Sequence, residues 1–74
     1  MEIIGMKTIV IRDGFIKLGQ ALKFAGLVDS GLDAKIEIKE GNVKVNEETH
    51  YERGKKVYPG DIIEFDGKKI KVEN

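Results

Sequence analysis

Cysteine is absent from this chain, so neither disulfides nor thiolate-bound metals can hold its fold. Tryptophan is absent as well, and there is one histidine. A lone His50 cannot assemble a metal site, and a general base needs an oriented partner. The neighbouring sequence supplies neither at a recognisable spacing. No apolar run approaches the roughly 20 residues of a membrane span. The opening Met1-Glu2-Ile3-Ile4-Gly5 lacks the basic and long apolar regions of a secretory leader. An intracellular, cytoplasmic protein is therefore expected. An excess of charge is missing too, because 13 basic and 13 acidic residues cancel. The molecule as a whole exerts no long-range pull on a polyanion. Any such binding must rest on cations sorted within the surface.

What is present is enough for one domain, residues 1–74, with a single thin core. A chain of this size has little room for an enclosed catalytic pocket, but it can offer a shaped surface to a larger partner. The glycines form no strand–glycine loop–helix unit of the phosphate-binding kind. Glu47 and Glu48 fall in an expected turn and read as solvated. No catalytic residue, cofactor, metal or small-molecule substrate is expected.

The run Met6 to Ile11 is β-branched and apolar and predicts a strand, broken by Asp13-Gly14. From Lys17 to Ala25 the pattern is helical. Leu18, Ala21, Leu22 and Ala25 recur at i, i+3, i+4 and i+7 and share one face. Gly26 stops that helix. Ser30 caps a second helix, with Asp33 three residues on as a short-armed capping box. Ala34 and Ile38 supply its buried stripe, and Gly41 ends it. Val43 and Val45 alternate with polar residues as a half-buried strand, followed by a turn at Asn46-Glu47-Glu48. Lys56 to Tyr58 is extended, and Pro59-Gly60 suits the centre of a type II turn. Ile62 to Phe65 and Lys69 to Val72 flank an Asp66-Gly67 hairpin signal. The order predicts an α+β fold, two short helices packed on a small antiparallel sheet.

At about 100° per residue, Lys35 and Lys39 share one flank of the second helix, while Asp33 and Glu37 share the other. Lys17, Gln20 and Lys23 lie off the apolar stripe of the first. Arg53, Lys55 and Lys56 put three cations within four residues, a pattern able to meet consecutive phosphates. Lysine on a helix flank is also what an ordinary solvated surface looks like. Phe24 falls outside the stripe. It is either an exposed ring for base stacking or, the alternative we favour, a ring packed under the sheet. Tyr51 and Tyr58 pose the same choice. Leu32 and Ile36 lie opposite Ala34 and Ile38, as a small sticky patch or, slightly favoured, under the N-terminal strand.

Taken together, Lys17-Leu18-Gly19-Gln20-Ala21-Leu22, Ser30, Ala34-Lys35, Ile38 and Gly41-Asn42-Val43-Lys44-Val45-Asn46 resemble the S-four RNA-binding domain. That family takes its name from a small-subunit ribosomal protein. The segment from Glu52 to Phe65 is similar to the short stand-alone branch of YaaA and YbcJ type. The resemblance covers about Thr8 to Val72. It implies the αL-type motif, in which two helices and an adjoining hairpin bind RNA. The residues it implies for RNA contact are Lys17, Ser30, Lys35, Asn46, Arg53, Lys55 and Lys56, and helix geometry adds Lys23 and Lys39 as candidates on the same faces. Structured ribosomal or transfer RNA is the implied partner, with ribosomal proteins as further partners and a place in translation. The chain departs from the wider family at Gly19, where Asp is common, and at Gly31, where Arg is common. Glu47 replaces the glycine common after Asn46. A module that binds protein without touching RNA is the alternative, motivated by zero net charge and by Leu32, Ile36 and Tyr58.

Overall fold

The computed structural model describes residues 7–74. Strand β1, Lys7–Val10, is followed by the short strand β2, Ile16–Lys17, and helix α1, Leu18–Phe24. Helix α2 spans Gly31–Lys39. Five strands complete the chain: β3 Val43–Val45, β4 Glu48–Thr49, β5 Lys56–Val57, β6 Ile62–Phe65 and β7 Lys68–Glu73. The expected start of the first strand at Met6 lies outside the described residues.

The main sheet has the order β1-β7-β6-β3-β4, and β2 pairs with β5 in a separate two-stranded ribbon. The sheet is mixed rather than purely antiparallel, because β1 runs parallel to β7 with Lys7 opposite Ile70. The reason is topological: the first and last described strands meet side by side, and no turn dictates their relative direction. The other ladders are antiparallel hairpins or neighbours. Residues alternate across the sheet as the pleat requires. Ile9, Val43, Val45, Ile63, Ile70 and Val72 turn inward, and Lys44 and Lys69 turn out.

The helices close the inner face. Leu18, Ala21 and Leu22 from α1 and Ala25 at its C-cap meet Ala34 and Ile38 from α2, all 2% exposed or less. The predicted stripes are thus the buried ones. The buried core is aliphatic, with all five aromatic rings half-buried or exposed. Phe24 is 61% exposed, which corrects the expectation that it packs under the sheet. The physical reason lies in helix geometry. The stripe centred on Leu18 and Leu22 already faces sheet and partner helix, and Phe24 stands roughly 140° away from that direction. Leu32 and Ile36 are likewise exposed on α2, at 65% and 44%, rather than covered by the N-terminal strand. Strand β1 sits at the edge of the sheet beside β7.

Local signals behave as their chemistry demands. Ser30 is the N-cap of α2, its Oγ accepting the Asp33 N–H at 3.1 Å. The reciprocal half of a capping box is missing, since the aspartate arm is one methylene shorter than the glutamate this motif uses. The Lys7 ammonium donates to the Ala25 carbonyl at 2.7 Å, placing a cation at the carbonyl end of α1. Gly41 has φ 80°, and a Cβ there would stand 3.1 Å from the Tyr51 ring, so both backbone and packing call for glycine.

The turn between β3 and β4 has Asn46 at φ 52° and Glu47 at φ 71°, with Val45 opposite Glu48. Both central residues are left-handed, the primed hairpin turn that favours Asn-Gly. Asn46 tolerates this conformation, whereas Glu47 carries a Cβ penalty of about 1–2 kcal/mol. Glu47→Gly relieves that strain but frees the unfolded chain by about 0.5–1 kcal/mol. A net gain of about 0.5–1 kcal/mol is expected, seen as a rise of a few degrees in the melting temperature. An unchanged or lower midpoint would refute the strain at this position.

Candidate nucleic-acid interface

The two ends of α1 are held differently, and the N-terminal end builds the site. A helix leaves its first N–H groups without intrahelical partners. Here Leu18 N–H donates to the Lys55 carbonyl at 2.8 Å, and Gly19 N–H donates to the Arg53 carbonyl at 3.0 Å. The loop between β4 and β5 is therefore clasped against the first turn of α1. Pairing of Lys17 with Lys56 in the β2–β5 ribbon reinforces the clasp. Glycine at position 19 eases the close approach, because a Cβ there would lie 3.2 Å from the Arg53 Cβ and the loop would have to give by a few tenths of an ångström.

This docking opens a groove of about 380 Å³ bounded by Lys17 at the end of β2, Gln20 and Lys23 of α1, Arg53 of the loop, and Gly19, Gly31 and Gly54. Three cations surround it and no carboxylate does. All three side chains are exposed. Neither of the ion pairs formed among the described residues, His50–Glu48 at 3.4 Å and Lys71–Glu73 at 3.7 Å, involves them. On a molecule of zero net charge, this is local segregation of positive charge. Gly31 and Gly54 have open space where a side chain would stand, so a phosphate can approach the backbone closely there.

The predicted residues divide into groups. Lys17, Lys23 and Arg53 come together in the groove. Ser30 immediately precedes its Gly31 wall, with its hydroxyl already accepting the Asp33 N–H. Lys35 lies one helical turn beyond Gly31 on the same flank, and Lys39 one turn further, both exposed. They extend the positive edge along α2. Lys55 is half-buried and outside the groove lining. Lys56 points elsewhere, its Nζ 4.8 Å from the centre of the Phe15 ring. Arg53, Lys55 and Lys56 thus do not form one row: Arg53 stands in a turn beside the groove, and Lys56 leaves on the β5 strand towards Phe15.

Asn46 is committed to the architecture. Its amide nitrogen donates to Asp61 Oδ1 and its amide oxygen accepts the Ile62 N–H, both at 3.0 Å. Asp61 in turn accepts the Tyr58 N–H through Oδ2 at 2.8 Å. The β3–β4 hairpin and the Pro59-Gly60 turn are stitched together through these two side chains. Gln20 was placed from sequence beside Lys17 and Lys23 but not among the contact residues, and Gly31 and Gly54 were not read as lining a site. Gln20 had a usable signal, since it stands at i−3 from Lys23 on the same side of α1. The glycines had none, because they act by being small.

His50 has a carboxylate partner in space, Glu48 two residues upstream, but that side chain is 79% exposed to water. Among the described residues no group of three or more metal-ligating side chains is gathered. No helix among them is long and apolar enough to cross a membrane.

Comparison with known proteins agrees with this geometry. The S4 domain family matches residues 9–73. A Bacillus subtilis (strain 168) protein named "Probable ribosome maturation protein RlbA" is 46% identical over 52 residues, covering 70% of this chain and 73% of its own. The solution structure of YbcJ from E. coli superimposes with a TM-score of 0.76 at 29% identity, covering 100% of this chain and 95% of that one. Its description reports an αL motif involved in RNA binding. With almost the whole chain matched, two helices on a mixed sheet, and a cation-lined groove at the first helix, this protein belongs to the S4 domain family.

Proposed function

We propose that this chain is a non-catalytic RNA-binding protein that grips structured ribosomal or transfer RNA by its phosphate backbone and acts on the ribosome in the cytoplasm. The whole chain serves as one binding domain. One observation carries the proposal: a groove flanked by Lys17, Lys23 and Arg53 with no carboxylate in its lining, on an otherwise neutral molecule. Lys35 and Lys39 continue the edge along α2, and Lys55 and Lys56 contribute from the ribbon side. Ser30 and Asn46 act by positioning, the first by capping α2 and the second by holding its hairpin. The names of the similar proteins, one for ribosome maturation and one for RNA binding, support the same reading.

Recognition of this kind is shape-matched and electrostatic, with little direct reading of bases. With roughly four phosphate contacts, the log–log slope of affinity against salt is expected near −3 on the single-strand coefficient. Gly31 offers a sharper test. A Cβ there meets nothing within 4 Å, so a longer side chain has free space beside the groove. Gly31→Arg should add one phosphate contact, steepen the slope by about 0.7 and raise affinity several-fold. Fluorescence anisotropy with an RNA stem-loop over a salt series measures both. A flat salt dependence would remove the electrostatic basis of the proposal.

Exposure of Leu32 and Ile36 keeps a protein contact in view. A partner that survives nuclease treatment and is lost on Leu32→Ser would favour a protein-binding role.

A further inference from the structure

A second groove, of about 430 Å³, lies on the other side of α1. Gln20 lines both grooves. Around the helix axis, Gly19 and Lys23 lie to one side of Gln20, and Phe24, at i+4 from Gln20, lies to the other. The second groove is bounded by Phe24 and Phe15, by Val10 and Ile16, and by the polar Arg12, Asp13 and Gln20. Phe24 is a large ring left 61% exposed in a small protein whose buried core is aliphatic. Phe15 is placed beside it by the β2–β5 ribbon and is already occupied by Lys56 and by the Tyr58 ring, 6.2 Å away. The free aromatic surface is therefore that of Phe24.

We infer that this groove is a nucleobase subsite, in which an unpaired base stacks on Phe24 while Gln20, Arg12 and Asp13 meet its polar edge. The inference rests on the phosphate-binding groove proposed above, since the shared Gln20 lets one RNA strand run from the cations into the aromatic side. Its chemistry favours a base over an apolar peptide. Arg12 and Asp13 are exposed and outside the ion pairs of the described residues, and an apolar partner would desolvate them uncompensated. A base brings a π-face for the ring and donors and acceptors for the charged rim.

The test compares two RNAs on the full chain: a fully paired stem-loop, and the same stem-loop with a single-stranded extension carrying 2-aminopurine. Phe24→Ala should weaken binding of the extended RNA about tenfold and abolish the change in 2-aminopurine fluorescence on binding. Stem-loop affinity should stay within twofold, and Phe24→Trp should keep the extended-RNA advantage. Circular dichroism confirms that each variant is folded. Equal loss on both RNAs, or no loss on either, overturns the subsite. Loss of binding by both RNAs on Lys17→Ala with Arg53→Ala upholds the phosphate groove independently. If that pair changes nothing, the groove proposal fails and the subsite fails with it.

Discussion

Reversing Lys17 and Arg53 together to glutamate is expected to lower RNA affinity by about a hundredfold or more at moderate salt. Each charge-assisted contact contributes roughly 1.5–3 kcal/mol, and two are removed. At about 1.4 kcal/mol per tenfold, the attraction lost accounts for two orders of magnitude before any repulsion is added. The same change should flatten the salt slope by about 1.4, because two phosphate contacts disappear. Both side chains are exposed, and the clasp onto α1 uses the Arg53 carbonyl rather than its guanidinium. The fold should therefore survive, which circular dichroism checks. Lys44→Glu with Lys68→Glu, on exposed residues outside the groove lining, is the matched control. Equal affinity for the groove double variant and this control would leave the groove without a role.

Leu22→Ala should produce the largest loss of stability. Leu22 is fully buried, in the stripe of α1 that faces the sheet and α2. Its truncation removes transfer free energy and leaves a cavity, a cost of about 2–5 kcal/mol. For a domain of this size that corresponds to a fall of roughly 10–30 °C in the melting temperature. The core is thin and has no disulfide to lean on, so much of the folded population should be lost near 37 °C. Calorimetry reads the midpoint directly. Well below that midpoint RNA binding should be close to normal, because Lys17, Lys23 and Arg53 are untouched. A midpoint shift under 5 °C would show that the helix is held by something other than this stripe.

The two experiments separate parts of the molecule that were unequally visible beforehand. The helical stripes, the Ser30 cap, the glycine stops at Gly26 and Gly41, and the turns at Pro59-Gly60 and Asp66-Gly67 each rest on residues within a few positions of one another. Such signals are legible because their physics is local. The two-residue strands β2 and β4 were not anticipated, since they are too short to show alternation. Asn46 was read as a residue for RNA contact, and its hydrogen bonds to Asp61 and Ile62, fifteen and sixteen residues away, had no signal near it in the sequence. The basic cluster at Arg53, Lys55 and Lys56 was visible as composition, but the turn at Arg53-Gly54 and the start of β5 send Arg53 to the groove and Lys56 to Phe15.

By itself, the chain of residues determined the helices, their buried faces and the hairpin turns, because periodicity and capping are carried by near neighbours. Tertiary structure alone decided three things. It set β1 parallel to β7, left the outer side of α1 at Phe24 without a covering segment, and brought Arg53 to Lys17 and Lys23 across the first turn of α1. Each depends on segments far apart in sequence meeting in space, and no local preference specifies which surfaces meet.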